Sequence, residues 1–192
     1  MTTIVAVKKN GVVAIAADTL TTFGNTRLPA GMDASHDKIL HFADSHIGVC
    51  GSAAHHLVLA SLLGKTADLQ LNSKAEIFET FRKLHPVLKE ECFLNPKEDE
   101  EDPYESSQIT ALIANASGLY GIFSMREVFE YTQFWAIGSG HEFALGAMNL
   151  AYARYESAEE IARVGVEAGI AFDTNSAAPI TLYTVSLKLA TA

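Results

Sequence analysis

Cysteine is scarce in this 192-residue chain: Cys50 and Cys92 stand far apart, with no CxxC spacing. That pattern argues against a disulfide framework or a zinc module and leaves two buried thiols as the expectation. Basic residues are also few. Lys and Arg number 14 against 23 Asp and Glu, a net charge of −9, whereas binding to nucleic acid needs concentrated positive charge. No apolar run approaches the roughly 18 residues of a membrane helix. The opening residues, Met1-Thr2-Thr3-Ile4-Val5-Ala6-Val7, lack the basic start, apolar core and cleavage site of a secretory signal. The expectation is therefore a cytoplasmic protein without nucleic-acid or membrane partners. The seven histidines form no set with metal-ligand spacing, and neither HExxH nor a P-loop occurs, so no metal and no cofactor is expected.

What is present is a globular composition, 48% hydrophobic and 19% charged, long enough for one compact domain spanning residues 1–192. The first eighteen residues read as a hairpin. Ile4–Val7 leads into Asn10-Gly11, the favoured pair for a two-residue turn, and Val12–Ala17 returns. Near-continuous apolar runs like these predict strands covered on both faces. Residues 19–37 are polar with Gly24, Pro29 and Gly31, a loop or short strand, and 38–50 read as a strand pair turning at Asp44-Ser45.

From Ser52 the period becomes helical, with one face at Ala54, Leu57, Val58, Ser61 and Leu62 and another at Ile77, Phe78, Phe81, Leu84 and Leu88. Pro86 should kink or divide the second helix. The acidic, proline-bounded stretch Pro96–Pro103 predicts a solvated surface insertion over about 96–107. Strands resume at 109–115, 119–124 and 133–137. Two helices follow with capping-box spacings, Ser139 with Glu142 and Ser157 with Glu160, before a last strand at 180–187. Segregated runs of strands and helices predict an α+β fold of two sheets between helical layers, not a parallel βαβ fold.

The chemistry starts from Thr2. A hydroxyl needs an adjacent base to act as a nucleophile at neutral pH. A terminal threonine can use its own α-amine, whose ordinary pKa is about 7.7–8.0. Thr2 follows Met1, and a small second residue permits removal of the initiator methionine. If Asn10-Gly11 is the two-residue turn, paired numbers sum to about 21 and Asp18 falls opposite Thr3. Strict register puts Asp18 on the Thr3 side, so reaching Thr2 needs terminal twist or a bulge. Asp18 could equally end the strand and bond the next turn.

The segments Thr2–Val7 and Asn10–Asp18 resemble the start of proteasome beta subunits and of the bacterial peptidase HslV. The resemblance extends to Gly24-Asn25-Thr26, Asp37-Lys38-Ile39, Gly51-Ser52-Ala53-Ala54, Ile137-Gly138-Ser139-Gly140 and Asp173-Thr174-Asn175-Ser176. It implies the N-terminal-nucleophile (Ntn) hydrolase fold, a four-layer αββα sandwich of two mainly antiparallel sheets. It also implies a threonine peptidase. Thr2 would form an acyl-enzyme, Asp18 would hold Lys38 beside it, and the Gly51 amide would meet the oxyanion. Ser139, Asp173 and Ser176 would bind the new N-terminus. Val49 and Ala53 would line the specificity pocket, with Ser52 beside the cleft. Where the family often has Gly-Gly and a downstream Asp, this chain has Gly51-Ser52 and His55. The partners implied are polypeptide substrates, a homo-oligomeric double ring of six or seven subunits per ring, and an ATP-dependent unfoldase. Two other readings share this fold: a catalytically silent ring or scaffold subunit, and an Ntn amidohydrolase acting on a small amide.

Overall fold

The computed structural model describes residues 2–96 and 102–188. Met1 and residues 97–101 of the acidic stretch lie outside them. The chain starts with β1 (Ile4–Lys9) and β2 (Val12–Asp18), joined through Asn10 and Gly11, both at positive φ. That is the backbone an Asn-Gly two-residue turn requires. Lys9 pairs with Val12 and Ile4 with Ala17, the predicted register. A short hairpin, β3 (Thr21–Phe23) and β4 (Thr26–Leu28), occupies the polar stretch after it.

The next strands are β5 (Ile39–Phe42) and β6 (Ser45–Cys50). Phe42 pairs with Ser45, so the turn is Ala43-Asp44, one residue earlier than expected. Helices α1 (Ala53–Lys65) and α2 (Lys74–Glu90) follow. Four more strands then run in sequence: β7 (Thr110–Asn115), β8 (Gly118–Ile122), β9 (Val128–Tyr131) and β10 (Phe134–Ile137). Helices α3 (His141–Tyr152) and α4 (Ala158–Phe172) and strand β11 (Ile180–Ser186) complete the fold.

One sheet has the order β10-β1-β2-β11 and the other β5-β6-β7-β8-β9. Every pairing is antiparallel. Three apolar layers join the pieces. Ile4, Ala6, Ile15 and Ala17 meet Ile39, Leu112 and Leu119 between the sheets. Val5, Val7, Ala14 and Ala16 meet Met148, Ile161 and Val166 under α3 and α4. Ile47, Ile113 and Tyr120 meet Leu59, Ile77, Phe81 and Leu84 under α1 and α2. The result is the four-layer αββα sandwich. Its two central strands are apolar on both faces because each face has a layer to pack against.

Several local expectations are corrected. In α1 the buried residues are Leu59, Leu62 and Leu63, while Leu57 is exposed; apolar residues in a row at 57–59 mark the inner face weakly. Pro86 does not divide α2, which continues to Glu90. Ser139 does not cap α3. The N-cap is Gly140, with no side-chain bond, and the Ser139 hydroxyl is used elsewhere. Ser157 does cap α4, accepting the Glu160 N–H at 3.3 Å. The insertion expected over about 96–107 is not solvated at its C-terminal end. Ser106 and Ser107 are buried, and His85 on α2 bonds both Ser107 Oγ (2.8 Å) and Glu105 (3.0 Å). We expect His85→Ala to lower the melting temperature by removing these two bonds, at about 1–3 kcal/mol in all, as read by thermal denaturation; Ser107 keeps Arg126 and Glu105 keeps Lys89.

Candidate active site

The β1–β2 register delivers Asp18 to the N-terminal end of the chain. Its N–H donates to Thr3 O at 3.1 Å, and its side chain is completely buried. A buried carboxylate must have its lone pairs satisfied. Asp18 Oδ1 accepts from Thr3 N (3.0 Å), Thr2 Oγ1 (2.5 Å) and Lys38 Nζ (2.8 Å). Oδ2 accepts from Leu20 N (3.0 Å) and Ala177 N (3.1 Å). Both earlier readings of this residue hold at once: it bonds the following turn, and it reaches Thr2. The end of the strand supplies the freedom that strict register denies.

Lys38 lies just before β5, in the opposite sheet, and crosses to Thr2. Its Nζ donates to Thr2 Oγ1 at 2.7 Å as well as to Asp18. Burial lowers the Lys38 ammonium below the ordinary lysine value, against the opposing pull of Asp18. Thr2 Oγ1 is thus held between a carboxylate that accepts its hydrogen bond and an ammonium that donates to it. Cys50, the nearby thiol, is pushed up to about 11, chiefly by burial. It stays protonated and is no rival nucleophile.

The Thr2 nitrogen has its own cradle. It donates to Ser139 Oγ at 3.2 Å, and Ser139 donates to Asp173 Oδ2 at 2.7 Å. Ser176 Oγ donates to the same oxygen at 2.7 Å and pairs with Thr3 Oγ1 at 2.7 Å. Asp173 also C-caps α4. Burial pushes its carboxyl up, but the bonds from Ser139, Ser176 and Asn175 outweigh this and hold it below the ordinary aspartate value. A carboxyl depressed in the folded state stabilises fully above its unfolded pKa, and that contribution is lost as pH falls through the folded value. We therefore expect Asp173→Asn to flatten the acid limb of a stability–pH profile below about pH 4, measured by urea denaturation.

Three glycines make room for this arrangement. A Cβ on Gly138, whose φ is +91°, would stand 2.1 Å from Thr2 O. On Gly140 and Gly169 it would stand 2.0 and 2.3 Å from Thr3 Oγ1. Sequence reasoning assigned none of these a role, nor Thr3. The Gly138-Ser139-Gly140 pattern carried a usable signal, because Gly flanking a polar residue marks close backbone approach. Replacing Gly169 by Ala should displace Thr3 and cost about 1–3 kcal/mol by overpacking, read by chemical denaturation.

The remaining candidates sit at the β6–α1 turn. Gly51 is exposed with φ +113°, a conformation that favours glycine. Ser52 N-caps α1, accepting the Ala54 N–H at 3.3 Å. Ala53 is exposed at the first helical position, and Val49 is buried against the α1–α2 layer. Among the described residues, no hydrogen bond joins these four to Thr2. The structure therefore brings together Thr2, Asp18, Lys38, Ser139, Asp173 and Ser176, with the Gly51 turn separate from that network. Among the described residues, His55 Nδ1 and His56 Nε2 are buried without a partner, and burial holds both rings below the ordinary histidine value. Among the described residues, no group of three or more His, Cys, Asp or Glu could hold a metal ion.

Comparison with known proteins places the fold in a family. Two structures of Thiobacillus denitrificans BPH superpose with a TM-score of 0.91. One, in complex with epoxomicin, is 39% identical and is matched over 97% of this chain and 100% of that one. The other is 40% identical over 97% and 98% of the two chains. Eukaryotic HslV from Trypanosoma brucei matches at a TM-score of 0.73 and 21% identity over 96% and 99% of the chains, a likeness of fold. A search of curated proteins finds no match. The family model for the proteasome subunit matches residues 1–185, and the chain belongs to the proteasome subunit family.

Proposed function

We propose that this protein is a threonine-type endopeptidase that degrades unfolded proteins or peptides, with Thr2 as its nucleophile once Met1 is removed. The observation that carries the reading is the pairing of two cradles on one residue. Asp18 and Lys38 hold Oγ1 (2.5 and 2.7 Å), while Ser139 holds the nitrogen (3.2 Å).

Loss of Met1 turns the Thr2 nitrogen into an α-amine that is partly neutral near physiological pH. An N–H directed to Ser139 leaves the nitrogen lone pair free to take the Oγ1 proton, directly or through one water. Lys38, donating to Oγ1, favours the alkoxide as that proton leaves. Oγ1 then bonds to the scissile carbonyl carbon, and the Gly51 N–H receives the oxyanion. The amine returns the proton to the departing peptide nitrogen as the C–N bond breaks, leaving an ester on Thr2. Water, deprotonated by the same amine, cleaves the ester and regenerates the hydroxyl. Ala53 walls the pocket for the residue before the cut, backed by Val49 in the buried α1–α2 layer, with Ser52 beside the cleft; small apolar walls suit an apolar side chain.

An unregulated peptide nucleophile would be hazardous in the cytoplasm, where we place this protein. The family relationship supports a homo-oligomeric double ring of six or seven subunits per ring, enclosing the sites and fed by an ATP-dependent unfoldase. Size-exclusion chromatography with light scattering tests the ring; a free dimer with activity on small amides alone would overturn it. Since the Thiobacillus homologue is found with epoxomicin, that compound is the first probe. The expected result is one epoxomicin-sized mass increase per subunit, located at Thr2, with parallel loss of peptide hydrolysis. No adduct together with no hydrolysis, in protein lacking Met1, would contradict the proposal and favour a silent ring subunit.

A further inference from the structure

Asp37 is the neighbour of Lys38, and its carboxylate is spent entirely on structure. Oδ1 accepts from Ile39 N at 2.9 Å and from Thr181 Oγ1 at 3.1 Å; Oδ2 accepts from the Tyr183 hydroxyl at 2.5 Å. Thr181 and Tyr183 belong to β11, the strand that pairs with β2 and sets Ile180 opposite Asp18. Asp37 and Lys38 belong to the edge of the other sheet. Two adjacent residues therefore cross the same gap side by side, Asp37 to β11 and Lys38 to the end of β2. The Lys38 carbonyl is also held, accepting Val49 N–H at 3.2 Å. The Tyr183 ring is itself fixed, stacked on His46 at 5.0 Å and met edge-on by His41 at 4.5 Å.

We propose that Tyr183 is a positioning residue for the reaction, gripping Asp37 so that residues 37–39 present the Lys38 ammonium to Thr2 Oγ1 and Asp18. This inference rests on the peptidase reading above. A lysine side chain has four rotatable carbons, so its reach to one oxygen is set by where its backbone is anchored. Misplacement of a reacting group by about 1 Å costs on the order of a hundredfold in rate. The groups that face this junction are Asp37 and His41, His46 and His56. Burial keeps His46 and His56 below the ordinary histidine value, and Asp37 opposes that shift in both. The Tyr183 phenol is raised to about 12, first by its bond to Asp37, so it remains a donor throughout the range of an activity assay.

The test is Tyr183→Phe, which removes one hydroxyl and keeps the stacked ring, made in the full chain beside Asp37→Asn and the double variant. Peptide hydrolysis is followed from pH 6 to 9. Tyr183→Phe should lower kcat about ten- to a hundredfold with little change in KM. It should also move the acid limb to higher pH, because a displaced ammonium no longer disfavours protonation of the Thr2 amine. The double variant should be no slower than the slower single one, since both changes break the same link. A lower melting temperature with an unchanged pH profile, or losses that multiply in the double variant, would overturn the proposal. A wild-type protein that hydrolyses no peptide would defeat the peptidase reading instead. In that case the Lys38 amine, titrated through its ε-carbon by NMR, decides. A midpoint that moves toward the ordinary lysine value in Tyr183→Phe supports the positioning role, and an unmoved midpoint overturns it.

Discussion

Thr2→Ala should abolish peptide hydrolysis, by about 10⁴-fold or more, and abolish labelling by a peptide electrophile, while ring assembly and melting temperature change little. Among the described residues, the hydroxyl makes bonds only to Asp18 and Lys38. Those two groups keep each other at 2.8 Å without it, so the truncation leaves no charge unpaired. Its nitrogen still donates to Ser139. The expected separation of activity from stability is therefore a property of this geometry. Measurement requires initial rates on a peptide substrate together with light scattering and thermal melts on the same preparation. Residual activity equal to wild type would remove Thr2 from the mechanism.

The opposite behaviour is expected of Asp18→Ala. Asp18 accepts five hydrogen bonds and is the ionic partner of Lys38, whose side chain is only 14% exposed. Removing one member of a buried ion pair leaves the other uncompensated and costs about 3–5 kcal/mol. The Leu20 and Ala177 N–H groups lose their acceptor as well. Activity and stability should fall together in this variant, read by urea denaturation and peptide hydrolysis. Asp18→Asn, which retains an acceptor oxygen, should recover part of the stability. It should not recover the activity, because the amide no longer balances the Lys38 charge. An Asp18→Ala protein as stable as wild type would contradict the buried Asp18–Lys38 pairing.

How far the site could be read in advance follows from the range of the interactions that build it. The Asp18–Thr3 pairing was legible because a two-residue turn fixes register locally, and register needs no tertiary information. The fold class was legible for a similar reason, since apolar runs on β1 and β2 require cover on both faces. The capping-box spacing at Ser139 misleads because the partners that take its hydroxyl, Thr2 and Asp173, lie 137 and 34 residues away; only the family resemblance pointed to the N-terminus. Local spacing cannot reveal such an alternative. The inner face of α1 was legible only at Leu62, because Leu57, Val58 and Leu59 stand in a row and put apolar side chains on both faces, leaving periodicity without contrast. Strand β9 was missed for want of a long apolar run, and is held by pairing with β8. The three glycines around Thr2 and Thr3 are demanded by contacts across four elements, which only the assembled fold displays.

Catalysis by Thr2 rests on one chemical condition: its nitrogen must become a free amine. Intact-mass spectrometry of the purified protein, before and after epoxomicin, tests it directly. A mass lacking one methionine residue, increasing by one epoxomicin per subunit with the adduct mapped to Thr2, is the predicted result. Protein that retains Met1 yet hydrolyses peptides at the same rate would contradict it.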